Sequence, residues 1–209
     1  MPSPGSSVWS KPNPKGMPAT IRQSIFAGIL IGLGAFGYMA LGGILGAVIF
    51  SFGLVGVVLT GTFLYTGKAG VLTNIWDVTI IWFFNVLACV LIGLMVKYLG
   101  GEPVERAKEM IANRLAVDYG RVFVRALGCG LIIDLSCSIY RTSGSVIPVI
   151  LGVVLFIICG FYHSIADVVY IIAAWNWSIG IIWYYLLILV GNYVGCNVRR
   201  FLNIITKNN

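Results

Sequence analysis

The chain has 209 residues, 59% of them hydrophobic and 10% charged, with a mean hydropathy of +0.95. Such values exclude an ordinary soluble domain and leave room for one compact membrane-embedded domain. The net charge of +7 is of a kind that a polytopic protein gathers in its cytoplasmic loops, so it implies no nucleic-acid partner.

Met1–Thr20 carries five of the seven prolines together with Lys11 and Lys15 and is expected to form a non-helical cytoplasmic tail, with Trp9 near the headgroups. Because this start is polar and the first apolar segment is long, no removable signal peptide is expected. Apolar segments follow at 21–42, 44–59, 78–96, 122–139, 146–174 and 179–198. Most come close to the ~20 residues that cross a ~30 Å hydrocarbon core. The expected organisation is a six-span domain over 21–200, closed by a cytoplasmic tail at 201–209.

The first span is rich in glycine (Gly28, Gly32, Gly34, Gly37), which lets helix backbones approach closely. The second runs into Gly61-Thr62-Phe63-Leu64-Tyr65-Thr66-Gly67, a stretch that suits a loop dipping into protein or an ordinary turn equally well. Phe50 and Leu54 lie one helical turn apart and share a face; on a pore-lining helix they form an apolar ring, and elsewhere they are core. Asn85 sits inside the third span. Residues 102–118 space Glu, Lys and Arg as an amphipathic surface helix would. The fourth span places Asp134 one turn beyond Gly130, and a carboxylate at that depth needs a partner in the bundle.

The fifth segment contains the only histidine, in Gly160-Phe161-Tyr162-His163-Ser164-Ile165-Ala166-Asp167. A polar interruption within hydrocarbon is tolerated where it faces protein or a water-filled cavity, so this reads as a helix opened for function. The sixth span carries Asn192-Tyr193-Val194-Gly195-Cys196, which repeats the outline of Asn85-Val86-Leu87-Ala88-Cys89 in the third. Two three-span halves, each with a broken middle helix, are the mark of inverted repeats with a site between the breaks. The five cysteines all fall in apolar spans without paired spacing or metal-ligand clusters, so neither disulfide, metal nor other cofactor is expected. With the N-terminus inside, eight basic residues fall on the cytoplasmic side and six outside, placing both termini in the cytoplasm.

These residues resemble the formate/nitrite transporter family. The second-span loop at Gly61–Gly67 is similar to the family's, His163-Ser164-Ile165-Ala166 matches the fifth-span Glu-His-Ser-Ile-Ala-Asn break, Gly191-Asn192 with Gly195 fits the sixth span, and Arg125-Ala126 with Cys129-Gly130 fits the fourth. The resemblance implies an all-α, aquaporin-like fold with broken second and fifth helices, assembled as a homopentamer in a prokaryotic inner membrane. It places Phe50, Leu54, Leu64 and Phe156 at apolar constrictions, Thr66 and His163 at a central polar pair, and Arg114 in the outer vestibule. The chain departs from the family at Gly130 (asparagine), Tyr162 (glutamate), Asp167 (asparagine), Arg114 (lysine), Asp134 (a small neutral residue) and Phe63 (an acid).

A small anion is strongly disfavoured in hydrocarbon and its neutral acid much less so, so protonation beside an apolar ring lets the solute cross. Histidine, which titrates near pH ~6.5 when unperturbed, is suited to assist. Arg114, unlike a lysine, acts as an electrostatic lure alone. The missing side chain at Gly130 is expected to leave room for Asp134 to reach toward His163. The leading expectation is a channel for small monovalent anions or their conjugate acids, with protons as a further partner. Two alternatives stand beside it: a pore for neutral solutes such as water, ammonia or urea, and a non-transporting scaffold of the same fold. No nucleophile–base set or metal cluster points to an enzyme.

Overall fold

A computed structural model describes residues 16–71 and 74–202. Nine helices account for most of them: α1 (Met17–Leu41), α2 (Gly43–Thr60), α3 (Tyr65–Lys68), α4 (Ile75–Leu99), α5 (Glu102–Leu115), α6 (Tyr119–Ser143), α7 (Ile147–Ile158), α8 (Ser164–Ala174) and α9 (Ile179–Phe201). Five of these (α1, α2, α4, α6 and α9) are long and apolar enough to cross a membrane, and α7 and α8 are shorter apolar helices. Residues 1–15 and 203–209, and with them Trp9 and most of both expected tails, lie outside the described residues. The helix begins earlier than the composition implies, at Met17, because Pro18 falls in the first turn, where a missing N–H costs nothing.

The expected surface helix is α5. It carries Glu102 and Glu105 in its first turn and Arg114 in its last, a polarity that complements the helix dipole, and it buries Val104, Ala107 and Ile111. The glycines of α1 serve two neighbours. Gly28 and Gly32 face α4, with the Asn85 backbone and Ile92 against them, whereas Gly34 and Gly37 face Phe50 and Ile49 of α2. The partnerships α1 with α4 and α1 with α2 recur as α6 with α9 and α6 with α7.

Two pairs of successive helices are separated by short non-helical segments. Residues 61–64 separate α2 from α3, and residues 159–163 separate α7 from α8. Both interruptions turn on a glycine in the left-handed region, Gly61 at φ 69° and Gly160 at φ 66°, which a side chain would strain. Non-helical segments leave backbone groups without helical partners, and here one buried carboxamide closes each gap. Asn85 donates through Nδ2 to the carbonyls of Ser24 (2.7 Å) and Phe63 (2.9 Å) and accepts the Tyr65 N–H at Oδ1 (2.8 Å). Asn192 repeats the set, donating to Ala126 (2.8 Å) and Tyr162 (2.9 Å) and accepting the Ser164 N–H (2.8 Å). The Phe63 N–H donates to the Gln23 carbonyl and the Tyr162 N–H to the Arg125 carbonyl, each at 3.4 Å. In this correspondence Leu64 and His163 occupy the same place, as do Lys68 and Asp167.

Both asparagines are fully buried, so truncation strands two carbonyls and an N–H, at ~1–3 kcal/mol for each group. Asn192→Ala and Asn85→Ala are each expected to destabilise the protein by about 3 kcal/mol or more. Thermal unfolding in detergent checks this, and wild-type midpoints in both variants would show that the amides do not hold the interruptions.

Candidate functional site

His163 stands at the mouth of α8 in an extended conformation, and its Nδ1 accepts the Ala166 N–H at 3.2 Å as the helix cap. With Nδ1 accepting, the neutral ring carries its proton on Nε2, which lies 3.1 Å from Thr66 Oγ1 on α3 and donates to it. The short helix α3 therefore meets the 159–163 segment in a side-chain hydrogen bond between residues 97 positions apart. The Thr66 backbone is held in turn, its carbonyl accepting from the Cys196 thiol at 3.1 Å.

The apolar members of the site surround this pair. The Phe156 ring centroid lies 5.9 Å from that of His163, and Phe50 packs edge-on against Phe156 at 5.7 Å. Leu54 and Leu64 are buried in the same core. The structure thus brings Phe50, Phe156, Thr66 and His163 into one chain of contacts, while Leu54 and Leu64 join through the common core.

A cavity of about 220 Å³ opens beside His163, bounded by α5, α6 and the 159–163 interruption; Tyr38, Asn113, Arg114, Arg125, Tyr162 and Asp167 are among its lining residues. Arg114 does not stand there as an open charge. Its guanidinium donates to Asp167 Oδ1 and, at 3.4 Å, to the Tyr184 hydroxyl, which itself donates to Asp167 Oδ2 at 2.6 Å. Both carboxylate oxygens of Asp167 are used, and the Arg114 side chain is only 14% exposed. The residue expected to attract anions is thus one half of a buried ion pair that ties α5 to α8. Tyr162 is buried, and its hydroxyl accepts from Arg125 Nη1 at 2.7 Å.

Asp134 is also placed otherwise than expected. Arg199 Nε donates to its Oδ2 at 2.9 Å and Arg199 Nη2 to its Oδ1 at 3.2 Å, a two-point clasp between α6 and α9. The room expected at Gly130 does not exist, because a Cβ there would stand 2.3 Å from the Asn192 carbonyl oxygen. The α9 backbone occupies the space, and Asp134 is turned to Arg199 instead of His163.

Three residues go beyond the sequence reading. Lys68 is buried with its ammonium 4.5 Å from the Phe63 ring centroid, and its only sequence signal is a lysine following a loop within an apolar run. Arg125 entered the sequence reading only as part of the fourth-span pattern, with no site role, and Tyr184 carries no signal among the aromatics of its helix. Among the described residues no group of His, Cys, Asp and Glu is arranged to hold a metal, and all five cysteines are free.

Long apolar helices, two interruptions closed by carboxamides and a buried polar pair beside a cavity define an integral membrane protein of the channel-forming kind. A family model described as formate/nitrite transporter matches residues 14–201. The chain belongs to the formate/nitrite transporter family. Its fold is similar to that of a pentameric formate channel solved with formate bound (TM-score 0.78, 23% identity, covering 88% of this chain and 94% of that one). It is similar also to an FNT family ion channel (TM-score 0.72, 22% identity, 88% of each chain). A search of curated proteins finds no match.

Removing one partner of a buried ion pair costs about 3–5 kcal/mol, because the other charge is left in place. Asp134→Asn is therefore expected to lower thermal stability while leaving any pH midpoint of transport where it is; a shifted midpoint at unchanged stability would reinstate a link to His163. Gly130→Asn, which returns the family's residue, is expected to impair assembly, as checked by size-exclusion profile and melting temperature, because the α9 backbone blocks the added side chain.

Proposed function

We propose that this protein is a transmembrane channel for small monovalent anions or their conjugate acids, of the formate/nitrite kind. The observation that carries the reading is the His163–Thr66 bond at 3.1 Å, placed between an outer cavity and the Phe156–Phe50 ring pair. Family membership over residues 14–201 supports it. In this reading α7 and α8 together make the fifth of six spans, and α2 with α3 the second. The repeated asparagine contacts support two three-span halves of inverted topology around the centre, with both termini cytoplasmic.

The path runs from the outer cavity past His163 and Phe156 to Phe50, with Leu54 and Leu64 narrowing it further. An anion entering the cavity accepts a hydrogen bond from His163 Nε2–H, combines with a hydronium proton relayed from the outer solution through cavity water, and crosses the apolar stretch as the neutral acid. Nδ1, engaged by the Ala166 N–H, is not the proton source. Two carboxylates added relative to the family, Asp134 and Asp167, would repel anions if left open and would favour a neutral-solute pore. Arginine engages both, Asp134 by Arg199 and Asp167 by Arg114, and that weighs toward the anion reading. The five-fold assembly of the similar formate channel, together with apolar side chains such as Ile44, Leu45, Ile49 and Phe52 exposed on α2, supports a homopentamer in a lipid bilayer.

Proteoliposome flux of formate, nitrite, hydrosulfide and urea over about pH 5–8 tests the proposal, with His163→Asn as the paired variant. Anion flux is expected to rise as pH falls and to drop about tenfold or more in the variant, the equivalent of one lost charge-assisted hydrogen bond, while urea stays at the liposome background. Equal formate flux in wild type and variant would remove His163 from the mechanism, and urea flux without anion flux would transfer the protein to the neutral-solute class.

A further inference from the structure

The outer cavity holds two arginines, and their surroundings differ. Arg114 is balanced, its guanidinium bonded to Asp167 and to Tyr184, with Tyr184 completing the carboxylate. Across distance such a pair presents a dipole, whose pull on an anion falls off faster than that of an isolated charge. Arg125 bonds instead to a neutral group, the Tyr162 hydroxyl at 2.7 Å. Among the described residues no carboxylate lies within 4.0 Å of Arg125. Resting on the anion-channel reading, we propose that Arg125, together with the Tyr162 hydroxyl, draws and docks anions in the outer cavity, the role that position 114 holds by resemblance.

The geometry suits a small monovalent oxoanion or carboxylate. Arg125 and Tyr162 both line the cavity, and Tyr162 is the chain neighbour of His163. The Tyr162 oxygen accepts from Arg125, so its own proton is available to an anion beside the guanidinium. The mount is rigid, since the Tyr162 N–H donates to the Arg125 carbonyl and the Tyr162 carbonyl accepts from Asn192 Nδ2. An arriving anion therefore finds two preorganised donors one residue from the central pair.

Two substitutions together explain why the role has moved. The family resemblance puts a glutamate at position 162 and an asparagine at 167, where this chain carries tyrosine and aspartate. A carboxylate at 162 would neutralise Arg125 and leave position 114 open. Here the carboxylate sits five residues further along the chain, neutralising Arg114 and leaving Arg125 open. The cavity keeps one uncompensated positive charge and changes which residue supplies it.

Formate uptake into proteoliposomes, measured as half-saturating concentration and maximal flux, separates the two arginines. Arg125→Gln is expected to raise the half-saturating concentration about tenfold, the lower end of electrostatic focusing by a charged cleft, with maximal flux changed far less. Tyr162→Phe gives a smaller rise and Arg125→Lys a partial rescue, which also reports that position 125 tolerates substitution. In the Tyr162→Glu/Asp167→Asn double variant the sensitivity is expected to pass to Arg114→Gln. Wild-type half-saturation in Arg125→Gln, or a larger rise from the charge-neutral Arg114→Gln/Asp167→Asn double variant, would overturn the assignment while leaving the channel reading intact. Absence of anion uptake by wild type overturns both.

Discussion

Two carboxamides hold this structure open. Backbone groups buried without partners cost several kcal/mol each, and Asn85 and Asn192 satisfy those at the two breaks with the same three hydrogen bonds on each side. Each amide brackets a single residue, taking the carbonyl before it and the N–H after it. In one half that residue is Leu64 and in the other His163. The architecture therefore repeats while its centre does not, and one apolar and one titratable side chain face the same core. Thr66, on α3 just after the first break, turns this asymmetry into a contact by meeting His163.

The second constraint is charge. Asp134 and Asp167 are buried, and each is engaged by one arginine from another helix. These clasps join α6 to α9 and α5 to α8, so charges that would be prohibitive singly act as structural ties. Lys68 stands where Asp167 stands in the other half, and Phe63 where Tyr162 stands. Each interruption thus sets an aromatic ring just before its central residue, with a cation on it: Lys68 over Phe63, and Arg114 and Arg125 over Tyr162.

Much of this was legible in the sequence because hydrocarbon imposes its own periodicity and length. Five of the apolar segments match α1, α2, α4, α6 and α9 to within a few residues, while 146–174 covers the two shorter helices α7 and α8, and the paired Asn-x-x-x-Cys outlines of the third and sixth segments correspond to matching contacts, since Cys89 and Cys196 each bond the carbonyl of a glycine on a neighbouring helix, Gly28 and Gly130. His163 is conspicuous as a lone titratable group in an apolar run. What escaped is partner choice. Asp134 lies one turn from Gly130 in sequence, but the close approach of α9 that fills the space at Gly130 and presents Arg199 is a tertiary fact. The partners of Arg114 were not legible, because the fold that carries Asp167 and Tyr184 to it joins segments more than 50 residues apart. The start of α1 at Met17 was hidden by Pro18, a residue that excludes helix interiors but not first turns.

The central claim is that a small anion passes beside His163 between the two interruptions. A cryo-electron microscopy structure of the protein in lipid nanodiscs with formate tests it most directly. The account predicts formate density in the cavity and within hydrogen-bond reach of His163 Nε2, with a continuous route past Phe156. A His163 ring sealed against a neighbouring subunit or turned toward lipid, with no passage beside it, would contradict it.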